Sequence, residues 1–281
     1  MKYVFFGTPE FADIILNKLI DSGFPPALVV SNPDRPVGRK KIITPPPTKI
    51  TAQKHGIKTW QPEKLTADSC EPEFNGAGFA VVAAYTKILP MEVLKLFPMG
   101  VIGVHPSLLP KYRGSSPIQA TILDGDKKTG VTLFLLDKKV DHGPILAQRE
   151  LEFSISNFQF PNLLQKLAEL GGELLSKTLP KFLNGKIQPQ PQNELYATYT
   201  RKLAGENAFV EEKDLKEALA GNDPEMALAI ERKIRALNPE PGVWTRENGK
   251  RLKLLEAEVK ENRLVLRVTQ LEGEKPRRLA Q

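Results

Sequence analysis

Two segments of the chain carry side chains that could move protons. His105 closes an apolar run, Val101–His105, and opens a proline-bounded loop of no regular period that continues to Gly114. Thirty-six residues later, Asp141 lies in Asp137–Ile145, an acidic Gly-Pro turn between two apolar runs. Imidazole is the side chain whose ordinary pKa suits proton transfer near neutrality. A carboxylate that reached it would orient the ring and favour its charged form, which is the arrangement of a general base with its orienter. Taken singly, the histidine reads as a structural residue and the aspartate as a turn former. The joint reading requires a fold that brings them together.

Other chemistries have little to work with. Cys70 is the single cysteine, so neither an internal disulfide nor a cysteine metal cluster can form. The three histidines, His55, His105 and His142, leave little for a zinc site, and no metal is expected. Gly7 ends the first apolar run, but one glycine falls short of a G-x-G-x-x-G phosphate loop and reads as a tight turn.

The elements that must position these residues follow from periodicity. Tyr3–Phe6, Leu28–Ser31, Phe79–Ala84, Val101–His105 and Val131–Leu136 are short apolar runs, several apolar on both faces, as buried strands are. Phe11, Ile14, Ile15 and Leu19 recur at helical spacing between the first two, with Thr8 expected to cap that helix, Pro9 in its first turn and Glu10 complementing its dipole. The alternation predicts an α/β domain with a mostly parallel, Rossmann-like sheet. Ligands bind beyond the carboxyl ends of strands in such sheets, and Gly7, Tyr85, His105 and Asp137 are expected near them. Ile145–Phe153 alternates as an antiparallel strand, and Asn162–Phe182 reads as a long helix. The polar, turn-rich stretch 183–206 reads as a linker between a domain over 1–182 and a small α+β domain over 207–281. In the latter, Glu212–Ala220 and Glu225–Leu237 have helical patterns, while Val243–Trp244, Arg251–Val259 and Arg263–Leu271 alternate as strands.

The chain has 281 residues and a net charge of +7, a balance that favours an anionic partner. Its basic residues concentrate in Asp34–Lys49, where Arg35, Arg39, Lys40, Lys41 and Lys49 face one aspartate in sixteen residues. A run of this kind is ordinarily a solvated loop. Here Pro36, Gly38 and Pro45–Pro47 stiffen it, and it leaves the carboxyl side of a strand, where it can overhang a site. Gly7, Pro9 and Glu10 break the opening apolar run, unlike a secretory leader, and no stretch approaches the ~20 apolar residues of a membrane span. A cytoplasmic protein off the membrane is expected.

The string HPSLLPKYRGSSPIQ (residues 105–119), with VDHGPIL around Asp141, resembles the folate-dependent formyltransferases. FFGTPEFA, NPDRPVGRKKIITPPPTK, VVAAYTKILP and ALNPEPG are similar to the members of that family that formylate methionyl-tRNA. The resemblance is close to collinear from Tyr3 to about Gly242. It implies a catalytic domain that binds 10-formyltetrahydrofolate and a monomeric enzyme that passes the formyl group to the amine of methionyl-initiator tRNA. His105 would help remove the proton from that amine, with Asp141 holding the imidazole. Tyr85, Ile88, Leu89, Ser107, Leu108, Leu109 and Pro110 would line the folate and formyl pocket, largely through backbone groups and apolar walls. Arg35, Arg39, Lys40 and Lys41 would meet the tRNA acceptor arm, with salt-sensitive phosphate contacts. The family closes with a barrel-like domain, of which 207–281 would be a reduced, OB-like version. Trp244 would be core or a stacking platform.

One position departs from the family pattern. Gly103 stands where the family has an asparagine that would polarise the formyl oxygen, and losing one such donor costs on the order of 10²–10³ in rate. Three readings stay open: an impaired enzyme, a replacement of the amide by another group or a water, and a folate or tRNA binder without efficient turnover. On the first, Gly103→Asn would raise turnover by orders of magnitude. Sugar-amine formyltransferases share the SLLPKYRG stretch and remain an alternative.

Overall fold

The computed structural model describes residues 1–38, 40–151 and 158–279. They divide into two compact units: Met1–Arg113, Thr129–Glu152 and Leu164–Tyr199 form the first, and Gly114–Lys128, Phe153–Leu163 and Thr200–Gln281 the second. The grouping is not the linear one expected from the sequence. Residues 183–199 belong with the first unit because they are strapped to it. Ile145 and Gln190 exchange backbone hydrogen bonds of 2.7 and 2.8 Å.

The first unit starts with β1 (Lys2–Gly7), α1 (Glu10–Asp21), β2 (Leu28–Val30), and a hairpin of β3 (Arg35–Val37) and β4 (Ile42–Thr44). It continues through α2 (Pro47–Lys54), β5 (Lys58–Trp60), α3 (Ala67–Phe74), β6 (Ala77–Ala83), α4 (Met91–Leu94), β7 (Val101–His105) and the short β8 (Arg113–Gly114). After α5 (Pro117–Leu123), which groups with the second unit, come β9 (Gly130–Leu135), β10 (Ile145–Glu150), α6 (Phe160–Leu183) and the short β11 (Tyr199–Thr200). Seven strands form one sheet in the order β10-β9-β7-β6-β1-β2-β5. β7, β6, β1, β2 and β5 are parallel, and β9 and β10 add an antiparallel edge. The sequence expectation of a mostly parallel α/β sheet therefore holds. The two-sided apolar runs explain it: Phe5 and Phe6 are both fully buried although they point to opposite faces. Each such ring removed from water contributes roughly 1.5–3 kcal/mol.

The two faces of the sheet differ. α6 lies close on one of them, because Gly171 has no Cβ to meet Val104, Val131 and Ile15. On the other face, Val4, Phe6, Val30, Ala80 and Val101 pack with Cys70, Phe74, Val93 and Phe97. Since Val104 faces α6, its neighbours Gly103 and His105 face the other way.

Three local expectations change. Thr8 does not cap α1; Pro9 holds the cap position without a side-chain bond, and the Thr8 hydroxyl accepts from the Asn32 amide at 3.2 Å. The expected strand Ile145–Phe153 is seen to Glu150, and Glu152 and Phe153 lie outside the described residues. Asp137 does not reach the carboxyl ends of the parallel strands. β9 runs antiparallel to β7, so the chain leaves it beside the start of β7, where the Leu136 amide donates to the Val101 carbonyl at 2.8 Å.

In the second unit, α7 (Glu212–Ala220) and α8 (Pro224–Leu237) accompany α5 and a four-stranded antiparallel sheet. Its strands, β12 (Trp244–Glu247), β13 (Lys250–Lys260), β14 (Arg263–Leu271) and β15 (Arg277–Arg278), follow one another in sequence order. Among the described residues this is an open meander, with no pairing of β12 to β15 that would close a barrel. Trp244 is half-buried, its ring packed on Phe209 and covered by the Arg251 guanidinium at 4.5 Å. No helix among the described residues is long and apolar enough to cross a membrane.

Candidate active site

His105 ends β7 and is buried, 5% exposed. Its Nε2 lies 2.8 Å from the carbonyl oxygen of Tyr112, and its Nδ1 lies 3.6 Å from Oδ2 of Asp141. A carbonyl oxygen only accepts, so Nε2 must carry a proton. In the neutral ring the lone pair is then on Nδ1, the nitrogen that faces Asp141. The fold thus brings together the two residues singled out from the sequence and assigns each ring nitrogen a partner.

Each partner is held in turn. Tyr112 has a left-handed backbone, φ 63°, and its amide donates to Thr198 Oγ1 at 2.8 Å. The preceding loop is pinned from the antiparallel edge of the sheet. Thr132, fully buried on β9, donates to the Ser107 carbonyl at 2.7 Å and accepts from the Leu109 amide at 3.0 Å. Gln148 on β10 donates to the same threonine at 2.9 Å and to the Leu109 carbonyl at 2.7 Å. The Ser107 hydroxyl closes the loop on itself, donating to the Lys111 carbonyl at 2.6 Å.

Asp141 arrives by a different device. The loop after β9 must fold back over the sheet, because it starts at the far end of β7 from His105. Asp137 staples it: its Oδ1 accepts from the Lys139 amide at 2.8 Å and its Oδ2 lies 2.6 Å from His142 Nδ1. Gly143 lets the loop approach closely, since a Cβ there would overlap the Leu135 carbonyl oxygen. Gln192 fastens the end of the loop, its Nε2 donating to the carbonyls of Asp141 at 2.9 Å and Gly143 at 2.8 Å.

The two loops are tied through Arg113, whose side chain is fully buried. Its guanidinium donates to Gln192 Oε1 at 2.8 and 3.0 Å, to Glu194 at 2.7 and 3.1 Å, and to the Tyr199 hydroxyl at 3.0 Å. Such charge-assisted bonds are roughly twice as strong as neutral ones. The guanidinium holds the Glu194 carboxyl below the usual carboxylate range, with His142 adding to the effect. Tyr112, Arg113, Thr132, Gln148 and Gln192 were not found by sequence reasoning. The stretch expected to be a linker supplies Gln192 and Glu194, and nothing in its polar composition signals that task.

The remaining expected site residues are placed as follows. Gly103 is buried on the face of His105, and the space beside it is already filled. A Cβ built on it would lie 2.6 Å from Phe134 Cζ and 2.8 Å from Leu136 Cδ1. An asparagine there requires the ends of the Phe134 and Leu136 side chains to shift. Tyr85 turns its ring into the aromatic cluster with Phe6, and burial pushes its hydroxyl up to about 12. Leu89, Ser107 and Leu109 are buried, Leu108 and Pro110 are half-buried, and Ile88 is 86% exposed. The basic loop is the β3–β4 hairpin. Arg35, Lys40 and Lys41 are exposed on it, while Arg39 lies outside the described residues. Lys49 is not available to a partner in the same way, because it pairs with Asp34 at 2.9 Å and lowers the pKa of that carboxyl.

Comparison with known proteins places this geometry. Residues 1–179 match the formyl transferase family and residues 225–274 its C-terminal domain. The methionyl-tRNA formyltransferase of Halalkalibacterium halodurans is 39% identical over 265 residues, covering 92% of this chain and 78% of the relative. That of Enterococcus faecalis is 39% identical over 258 residues, covering 90% and 78%. Among solved structures, the methionyl-tRNA formyltransferase of Clostridium thermocellum superposes with a TM-score of 0.60 at 17% identity, over 96% of this chain and 98% of that one. The N-formyltransferase of Helicobacter canadensis, in complex with folinic acid and dTDP-3-aminofucose, gives 0.64 at 18% identity, over 98% and 96%. At these identities the two structures speak for the fold.

Proposed function

The chain belongs to the formyl transferase family, and from that premise we propose that it is a methionyl-tRNA formyltransferase, moving the formyl group of 10-formyltetrahydrofolate to the amine of methionyl-initiator tRNA. It would act as a cytoplasmic monomer at the start of translation. Relatives of that name at 39% identity over most of both chains support the activity. The observation that carries the chemistry is the His105–Asp141 pair at the end of β7.

The donor set suits this donor. An imidazole and a carboxylate stand together beside apolar residues, which is what proton removal next to a neutral one-carbon unit requires. When bound, 10-formyltetrahydrofolate supplies carbon at the formyl oxidation level. The residues of the chain handle the proton. The Tyr112 carbonyl keeps Nε2 protonated, so Nδ1 of His105 receives the proton given up by the attacking amine. Asp141 then faces an imidazolium; unit charges at about 4 Å attract by about 4 kcal/mol at an effective dielectric of about 20. Ile88 and the 107–110 loop would form the walls of the donor site. Arg35, Arg39, Lys40 and Lys41 would hold phosphates of the acceptor arm.

The test is transfer to charged initiator tRNA, with His105→Asn and Asp141→Asn beside the parent. The parent should turn over, and His105→Asn should lower kcat by about 10²–10⁴-fold, the usual worth of a positioned base. A parent inactive on methionyl-tRNA but active on a nucleotide aminosugar would reassign the substrate. An unimpaired His105→Asn enzyme would remove the base assigned here.

A further inference from the structure

Gly103 and Phe134 are directly opposed in the β7–β9 pairing, and His105 is opposed to Thr132 on the same face. The Phe134 ring lies over the bare Gly103 backbone, in the volume that a side chain at 103 would need. The ring is buried and stands edge-to-face with the His105 imidazole, centroids 6.5 Å apart and planes at 88°. Leu136 closes the same space from the next position on that face. A glycine in the interior of a strand ordinarily weakens it, and is kept where another group must come close. Here the group that comes close is the wall of the base.

We infer that Gly103 and Phe134 act as one unit, in which the Phe134 ring takes the side-chain space of position 103 and positions the His105 imidazole. The functional half of this inference rests on the reading of His105 as the proton acceptor. Two contacts flank the imidazole: Tyr112 O is hydrogen-bonded to Nε2 at 2.8 Å, and Asp141 Oδ2 stands 3.6 Å from Nδ1. Neither prevents the ring from rocking about the line that joins them, whereas an aromatic edge against it does. Glycine at 103 is thus matched to its neighbour, and a larger residue there displaces the ring instead of adding a function.

The experiment is a double-variant cycle on the full chain: Gly103→Asn, Phe134→Ala, both together, and Phe134→Leu as a milder probe. Thermal unfolding of the four needs no substrate. Gly103→Asn alone should lower the Tm, and the same change in the Phe134→Ala background should cost little or raise it. Such strong non-additivity is expected of residues sharing one space. In transfer assays, Phe134→Ala should lower kcat by on the order of 10²-fold, the effect of a displacement of about 1 Å at a reacting group, with KM changed far less. Phe134→Leu should fall between, and Gly103→Asn should be slower than the parent. Nitrogen-15 spectra of His105 should show the Nε2–H tautomer in the parent and a mixture of tautomers in Phe134→Ala. Additive Tm changes, or a Gly103→Asn protein as stable as the parent and faster, would overturn the inference. So would an unchanged tautomer together with an unchanged kcat in Phe134→Ala. If the parent transfers nothing, the proposed activity fails, while the Tm cycle and the tautomer still decide whether the unit exists.

Discussion

Replacing Thr132 by valine keeps the shape of a fully buried side chain and deletes one hydroxyl. That oxygen serves three partners: the Ser107 carbonyl, the Leu109 amide and the Gln148 side chain. Gln148 keeps its bond to the Leu109 carbonyl, so the loss falls on two backbone groups. Each buried group left without a partner costs about 1–3 kcal/mol. The extra methyl returns about 0.8 kcal/mol of apolar burial. The net cost is therefore about 1–5 kcal/mol, which at about 2–4 °C per kcal/mol for a chain of this size lowers the Tm by about 2–20 °C. The loop it releases leads to the Tyr112 carbonyl, so kcat should fall as well. Thermal unfolding followed by circular dichroism, with transfer kinetics well below the Tm, measures both. A drop of less than about 2 °C with unchanged kcat would refute the argument that β9 pins the His105 loop.

Glu194→Gln should destabilise the protein at neutral pH and not in acid. The Arg113 guanidinium depresses the folded pKa of this carboxyl, so its contribution is present above the ordinary value of about 4.3 and is lost as the pH falls through the lower folded one. The Tm gap between parent and variant should be widest near pH 7 and close below about pH 4; a gap that widens in acid would contradict the clamp. Gly143→Ala should push the loop off the Leu135 carbonyl, costing about 1–3 kcal/mol in a urea melt and lowering kcat through Asp141. Lys40→Ala and Lys41→Ala should raise KM for tRNA and each lessen the salt dependence of log K by about one, leaving kcat near the parent value. Equal salt slopes would remove these lysines from the tRNA path.

The class of fold was legible in the chain because burial on both faces writes itself into local composition. Runs such as Tyr3–Phe6 and Val101–His105 leave no polar side to face water, and the parallel sheet follows. The seam of the site was legible only as two candidates, His105 and Asp141, whose types suit proton transfer. What joins them depends on partners far apart in sequence. Arg113 meets Gln192 and Glu194 about eighty positions away, at separations of 79 and 81 residues. No local periodicity encodes such a contact. The antiparallel turn of β9 set Asp137 at the wrong end of β7 and required the loop to fold back, which the expected strand could not reveal. The Thr8 hydroxyl, a cap by local rules, went to Asn32 because β2 lies beside it. By itself the sequence determined which residues could do chemistry and the layered α/β frame that carries them. Tertiary structure alone decided which imidazole nitrogen carries the proton and that position 103 is crowded, because hydrogen-bond direction and packed volume exist only once distant segments meet.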